Sequence, residues 1–155
     1  MLPVSAGEGR VGRILVIDDD ASVLQATTLM LTSLGFEVVA VGDGGAGVAA
    51  AKSGAFDAAI VDLFMPKMDG LETTRAIHQH NPQLPIIAVS GFMFSGPGRC
   101  PDMPNFHAMA TEAGAVAAVY KPFRPSELHR VINDVIRARG GGPAPAQAGA
   151  RRHAK

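Results

Sequence analysis

The chain has 155 residues and a mass of 16.0 kDa, the size of a single domain. Apolar residues make up 47% and charged residues 18%, so the chain can form a buried core. Fourteen basic residues balance fourteen acidic ones, which argues against nucleic acid or a membrane surface as a partner. The single cysteine excludes an internal disulfide and a multi-cysteine zinc site. No apolar run could span a membrane and residues 1–13 lack a secretory signal, so we expect a cytoplasmic protein.

The net charge of zero is the sum of two regions of opposite charge. Residues 140–155 contain three basic residues and no acidic one, and they are rich in Gly, Ala and Pro. No apolar face can be drawn on such a segment, so we expect a disordered basic tail. Residues 1–12 are expected to form a flexible N-terminal segment. This leaves residues 13–139 as the folded domain, and residues 1–139 together have eleven basic and fourteen acidic residues.

Short apolar runs alternate with helical patterns along residues 13–139. The first run, 14–17, predicts a strand, and Asp20 is the expected N-cap of a helix that ends near Leu34, before Gly35. Further strands are predicted at 37–41, 58–61, 85–89 and 116–120, and further helices to about 53, to about 80, near 106–113 and after Pro125. This alternation is typical of an α/β fold with a five-stranded parallel sheet and helices on both faces.

Polar residues follow four of the predicted strands at the point where each strand ends. They are Asp18, Asp19 and Asp20 after the first strand, Asp62 after the third, Ser90 after the fourth and Lys121 after the fifth. Because ligands of open parallel sheets bind at the carboxyl ends of the strands, we expect these side chains to converge there. Taken singly, each has an ordinary explanation as a helix cap, a turn residue or a solvated lysine. For Asp20 we prefer the helix cap.

The converging side chains suit one kind of chemistry. Clustered carboxylates repel one another unless a cation or a proton intervenes. A hard divalent ion such as Mg²⁺ (or Mn²⁺) takes oxygen ligands and is the natural partner of such a cluster. A hydroxyl group and an ammonium group beside a metal-bound carboxylate are suited to holding phosphoryl oxygens. The pattern therefore favours transfer of a phosphoryl group onto a carboxylate.

Four segments carry a resemblance to a known family. They are ILVIDDD at 14–20, VDLFMPKMDG at 61–70, AVSG at 88–91 and KPF at 121–123. In these segments the sequence resembles the receiver domain of two-component response regulators, of the chemotaxis type. The resemblance covers about residues 13–138, and it implies a doubly wound, flavodoxin-like sheet with the strand order 2-1-3-4-5.

The resemblance also implies a role for each residue of the cluster. Asp62 corresponds to the phospho-acceptor. Asp18 and Asp19 correspond to the carboxylates of the Mg²⁺ site, with Asp19 the more direct ligand, and the backbone carbonyl of Phe64 completes that site. Ser90 corresponds to the hydroxyl that turns toward the phosphoryl group, and Lys121 to the lysine that pairs with it.

The function implied is that of a stand-alone receiver in a phosphorelay. A histidine kinase or a histidine-phosphotransfer protein would donate the phosphoryl group, and phosphorylation would switch a surface that contacts an unidentified downstream protein. No output domain is expected after residue 139. Such a protein assists its own phosphorylation and dephosphorylation, and it is not a conventional turnover enzyme.

The sequence departs from the family pattern in three places. Ala118 stands three residues before Lys121, where the family commonly has Tyr or Phe, and we expect the aromatic residue of this strand, Tyr120, on the opposite face. The segment 91–104 is longer than the family norm. Phe64 and Phe92 lie two residues after the acceptor and the hydroxyl, where family members control the access of hydrolytic water, so we predict a slowly hydrolysed phospho-aspartate.

Three alternatives remain open at this point. The glycines at 42, 44 and 47 match the G-x-G-x-x-G pattern of a dinucleotide-binding fold, although that fold gives no role to Asp18–Asp20 or to Lys121. A phosphorylation-independent interaction module with a receiver fold is favoured by Ala118 and by the long segment 91–104. A hydrolase acting through Asp62 usually has a second Asp two residues further on, where this chain has Phe64.

Overall fold

The computed structural model describes residues 12–63, 70–90 and 106–139. Five strands and five helices alternate along these segments. The strands are β1 (Arg13–Ile17), β2 (Glu37–Val41), β3 (Ala58–Asp62), β4 (Ile86–Ser90) and β5 (Ala117–Tyr120). The helices are α1 (Ala21–Ser33), α2 (Gly44–Ser53), α3 (Gly70–His80), α4 (Phe106–Ala113) and α5 (Pro125–Arg139). The predicted strands and helices are confirmed, with boundaries that differ by one or two residues.

The strands form one parallel sheet in the order β2-β1-β3-β4-β5. The predicted strand order is therefore confirmed. Parallel neighbours need a crossover connection, and a helix crosses over between each pair of consecutive strands. Helices α2, α3 and α4 contribute to the apolar core on one face, and α1 and α5 contribute to the core on the other.

Alternation along the strands divides the core between the two faces. In β1, Leu15 and Ile17 face α2, α3 and α4, whereas Ile14 and Val16 face α1 and α5. All residues of β3 and β4 are buried, which explains why the sequence shows continuous apolar runs there rather than alternation. Burying one of their Val or Ile side chains stabilises the fold by about 1.5–3 kcal/mol, and the residues at the ends of these strands, Asp62 and Ser90, are placed by this buried core.

Two local signals set the bounds of α1 as the sequence predicted. The Asp20 carboxylate accepts hydrogen bonds from the backbone N–H groups of Ser22 (2.9 Å) and Val23 (3.2 Å), and these groups lack partners within the helix. After the helix, Gly35 has a φ of 97°, a conformation that favours glycine. Asp20 is therefore a helix cap.

The expectation for Tyr120 was wrong. Residues two apart in a strand point to the same face, and Ala118 packs into the core on the side of α2, α3 and α4. Val119, between them, packs on the opposite side. Tyr120 therefore lies on the same face as Ala118, at the end of β5, and it is partly exposed.

The glycines at 42, 44 and 47 lie just before helix α2 and within it. Asp43 caps this helix by accepting a hydrogen bond from the backbone N–H of Ala46 at 2.7 Å. A Cβ atom at Gly47 would collide with the Ile17 side chain, so the glycine lets α2 approach β1 closely. Close packing therefore explains Gly47, and the residue between the first two glycines is a helix cap.

A group of residues at the amino-terminal edge of the sheet, which we call the basal clamp, ties the end of α5 to β1 and β3. It consists of Arg13, Phe56, Asp57 and Arg139. The Arg139 Nη1 donates a hydrogen bond to the carbonyl oxygen of Phe56 (2.7 Å) and lies 3.7 Å from the Asp57 carboxylate. That buried carboxylate also accepts the backbone N–H of Arg13 (2.8 Å), whose guanidinium lies 4.7 Å from the centre of the Phe56 ring.

None of the helices in the part of the chain that the structure describes is long and apolar enough to cross a membrane. The predicted segments 1–12 and 140–155 and the loop at 91–104 lie outside the described residues, apart from Gly12.

Candidate acidic site at the carboxyl edge of the sheet

Three carboxylates meet at the carboxyl edge of the sheet. Asp18 and Asp19 directly follow β1, and Asp62 is the last residue of the neighbouring strand β3. One carboxylate oxygen from each lies within 4.8 Å of the others. The structure thus brings together the three acids that the sequence analysis assigned to a metal site.

The three acids differ in exposure. Asp18 and Asp62 are 4% and 8% exposed, whereas Asp19 is exposed at the rim. The Asp18 Oδ1 accepts the backbone N–H of Asp20 at 2.9 Å, and the Asp18 N–H donates to the carbonyl of Val41 at 3.2 Å. These bonds fix the Asp18 carboxylate between β1 and the start of α1.

Lys121, which directly follows β5, brings a positive charge to the site. Its Nζ lies 2.9 Å from the Asp18 Oδ2 and 3.8 Å from the Asp62 Oδ2. The Lys121 backbone N–H donates to the Ser90 carbonyl at 2.7 Å, and the peptide bond between Lys121 and Pro122 is cis. The sequence alone does not determine the isomer of an X-Pro bond.

Ser90 lies at the carboxyl end of β4, the strand next to β3. It is fully buried, and in the sheet register it pairs with Tyr120 of β5. The predicted hydroxyl residue is therefore at the same edge as Asp62 and Lys121. Phe64, whose backbone carbonyl was expected to complete the metal site, lies outside the described residues, as does Phe92.

The charges and donor atoms fit a hard divalent cation. Among the described residues, three carboxylates and one ammonium group give a formal charge of −2 at the site. All the acidic donors are oxygen atoms, which Mg²⁺ and Mn²⁺ prefer. Low exposure of Asp18 and Asp62 strengthens both their mutual repulsion and their attraction for a cation. The arrangement can therefore bind such an ion beside a carboxylate that faces an ammonium group.

Two features of the site were not predicted from the sequence. Sequence reasoning paired Lys121 with the phosphoryl group, yet its shortest contact is with Asp18. Gly70 was not identified as part of the site, although its backbone N–H donates to the carbonyl of Leu63, directly after Asp62, at 2.9 Å. The Asp-Gly pair at 69–70 was the available signal, but in sequence it only indicates a loop.

A five-stranded parallel sheet with an acidic pocket and a lysine at its carboxyl edge defines a class of phosphoryl-accepting α/β domains. A family model described as the response regulator receiver domain matches residues 14–133. The chain therefore belongs to the response regulator receiver domain family. Members of this family are phospho-acceptors of two-component signalling rather than classical enzymes, they bind Mg²⁺ at an acidic pocket, and histidine kinases phosphorylate them.

Individual relatives agree with this assignment. The DNA-binding response regulator MtrA of Mycolicibacterium paratuberculosis is 30% identical over 132 residues, which is 85% of this chain and 54% of the relative. The chain thus matches about half the length of this relative. A CheY-like receiver from Methanospirillum hungatei JF-1 superposes with a TM-score of 0.72 at 27% identity, over 83% of this chain and 96% of that one.

A further solved structure bears on the acidic pocket. It is the receiver domain of the sensor histidine kinase PA1611 from Pseudomonas aeruginosa PAO1, described as having a magnesium ion coordinated in the active site cleft. It superposes with a TM-score of 0.68 at 28% identity, over 81% of this chain and 98% of that one.

Proposed function

We propose that the chain accepts a phosphoryl group on Asp62 from a phosphohistidine of a histidine kinase or a histidine-phosphotransfer protein. The observation that carries this proposal is the position of the Asp62 carboxylate. It ends a fully buried strand, it lies within 4.8 Å of the oxygens of Asp18 and Asp19, and it is 3.8 Å from the Lys121 ammonium. A carboxylate surrounded in this way is held in place and ready to attack phosphorus.

The transfer exchanges one bond for another. An oxygen of the Asp62 carboxylate attacks the phosphorus, a P–O bond forms, and the P–N bond to the donor histidine breaks, so that the imidazole leaves. The product is an acyl phosphate that adds about −1.5 to −2 of charge at pH 7, if it behaves like other protein phosphates.

The remaining residues of the site would stabilise that charge. Lys121 can turn from Asp18 toward a phosphoryl oxygen, because its Nζ already lies between the two carboxylates. Ser90 would donate its hydroxyl to another phosphoryl oxygen. Asp18, Asp19, Asp62 and the Phe64 carbonyl would hold Mg²⁺, which when bound supplies positive charge against the phosphoryl oxygens.

The output that we propose is a protein contact. Recruitment of Ser90 and Lys121 to the phosphoryl group would act on the ends of β4 and β5, and would bias a pre-existing two-state surface around α4 and β5. The downstream partner is a protein that recognises the phosphorylated form of this surface.

Phosphorylation with acetyl phosphate and Mg²⁺ tests the proposal. We expect intact-protein mass spectrometry to show the gain of one phosphoryl group, which is lost in Asp62→Asn and kept in Asp134→Asn, a matched change on α5. A phosphoryl group that persists in Asp62→Asn would assign the acceptor to another residue.

Ala118 favours a second candidate, a phosphorylation-independent interaction module. A small residue at this position removes the aromatic ring that couples the phosphorylation site to the output surface in family members. The same experiment distinguishes the two functions, because a chain that gains no phosphoryl group from acetyl phosphate or from any phosphohistidine donor would support the second.

A further inference from the structure

The start of helix α3 packs directly against the main chain of the proposed acceptor. Gly70, the first residue of α3, is buried, and a Cβ atom built on it would lie 2.8 Å from the carbonyl carbon of Asp62. The same atom would lie less than 3.0 Å from the Asp62 carbonyl oxygen and from the Leu63 Cα. Real Cβ atoms essentially never approach other heavy atoms so closely, so only glycine fits at this position.

Neither the end of β3 nor helix α3 can move easily to relieve such a collision. On the sheet side, the Leu63 N–H donates to the carbonyl of Val89 at 3.0 Å, which holds the end of β3 to β4. On the helix side, Thr73, Thr74 and Ile77 of α3 are completely buried. All three atoms that would collide belong to the backbone, so no side-chain rotation can relieve the overlap.

Two hydrogen bonds hold the contact together. The Gly70 N–H donates to the Leu63 carbonyl at 2.9 Å. The buried Thr74 hydroxyl donates to the Gly70 carbonyl at 2.7 Å. The first bond joins α3 to the residue after Asp62, and the second stiffens the first turn of the helix against which Asp62 rests.

We propose that Gly70 is a positioning residue for the acceptor Asp62. The absence of a side chain at Gly70 and its two hydrogen bonds determine where the Asp62 backbone lies. The backbone in turn determines where the Asp62 carboxylate lies relative to Asp18 and Lys121. The inference rests on the proposed function of Asp62. Any larger residue at this position displaces the Asp62 peptide by roughly 1 Å, and misplacement of that size costs on the order of a hundredfold in rate when the geometry of the reacting groups matters.

The decisive comparison is Gly70→Ala against Gly114→Ala in the full chain. Gly114 connects α4 to β5 at the amino-terminal end of that strand, with a φ of 119°, and a Cβ atom there would meet the His78 ring at 2.6 Å. Both variants strain the fold, but only Gly70→Ala strains it at the acceptor. Thermal melting determines how far each variant is destabilised, so that rates are compared at temperatures where both are folded.

Two readouts separate a positioning role from a structural one. We expect Gly70→Ala to accept a phosphoryl group from acetyl phosphate at least tenfold more slowly than the wild type, and to bind Mg²⁺ about tenfold more weakly in a titration without any phosphoryl donor. Gly114→Ala should remain within about twofold of the wild type in both. Equal losses in the two variants, or none in Gly70→Ala, would overturn the proposal.

A second pair of variants decides the question if Gly70→Ala does not fold. Thr74→Val removes the hydroxyl that bonds to Gly70, and Thr28→Val removes a matching 2.7 Å bond from a hydroxyl to the Leu24 carbonyl in α1. We expect slower phosphorylation, by about threefold, only in Thr74→Val. Equal rates in these two variants would contradict the positioning role.

Failure of the proposed function would be recognisable in the same data. If the wild type gained no phosphoryl group, Asp62 would not be an acceptor, whereas the Mg²⁺ titration would still show whether Gly70 positions the carboxylates. If the wild type bound no Mg²⁺ either, both proposals would be wrong.

Discussion

Replacing Lys121 with methionine should destabilise the protein without Mg²⁺ and make it respond more strongly to Mg²⁺. The Lys121 ammonium lies 2.9 Å from the Asp18 carboxylate and 3.8 Å from the Asp62 carboxylate, and it balances part of their charge. Methionine has a similar length and no charge, so the variant leaves three clustered carboxylates without the ammonium. A divalent cation binds the same carboxylates and should compensate for the loss.

The size of the effect follows from the burial of the groups. At an effective dielectric constant of about 20, two unit charges 4 Å apart interact by about 4 kcal/mol. Removing one partner of a buried ion pair costs about 3–5 kcal/mol. The Lys121 side chain is 22% exposed and Asp18 only 5%, so solvent screens the pair in part. We therefore expect a loss of about 2 kcal/mol in the free energy of unfolding, or roughly 7 °C in Tm for a domain of this size.

The assay is thermal melting in a chelator and in saturating Mg²⁺. Lys52→Met, at an exposed lysine near the end of α2, is the matched control. We expect the Tm difference between Lys121→Met and the wild type to shrink by at least half in Mg²⁺, because the ammonium no longer competes for Asp18. Equal Tm values for the two variants in chelator, or the same gain from Mg²⁺ in Lys121→Met and the wild type, would refute this electrostatic account.

Three further predictions test other parts of the molecule. Mg²⁺ at ten times its dissociation constant should stabilise the wild type by about 1.4 kcal/mol. Asp19→Asn should need a severalfold higher Mg²⁺ concentration for the same rise in Tm. An unchanged wild-type Tm would count against the metal site. Phe64→Asn should shorten the lifetime of the phospho-aspartate severalfold, measured as the loss of the phosphoryl mass, whereas a wild-type lifetime of seconds that this change leaves unaltered would disprove the role of Phe64. Arg139→Ala should cost about 1 kcal/mol and speed hydrogen exchange in the last turn of α5 more than Arg137→Ala does, and equal exchange would show that the basal clamp does not hold that turn.

The fold could be predicted almost entirely because local signals agree with one another. The buried strands read as apolar runs, Asp20 and Gly35 mark the ends of α1, and the alternation of strands with helices leaves few possible topologies. The position of Tyr120 also follows from strand alternation, which places it on the face of Ala118. Residues 118 and 120 share a face in any regular strand.

Part of the site could be predicted because polar residues at the ends of parallel strands must meet at one edge. Which of these side chains contact one another could not be predicted from the sequence. Whether the Lys121 ammonium lies closer to Asp18 or to Asp62 depends on side-chain conformation. Asp18 and Asp62 precede Lys121 by 103 and 59 residues, and no sequence pattern predicts contacts over such separations. The role of Gly70 depends on how closely a helix approaches a strand, which becomes visible only when the backbones are placed.

The basal clamp has a consequence for the stability of the last turn of α5. Helix α5 has 15 residues, so it spans about 22 Å, and the clamp fixes its last turn at the edge of the sheet away from the acidic site. The end of α5 therefore cannot fray without removing Arg139 from the buried Asp57 carboxylate and from the Phe56 carbonyl. Loosening of this turn would be felt at the starts of β1 and β3, because Asp57 also accepts the backbone N–H of Arg13.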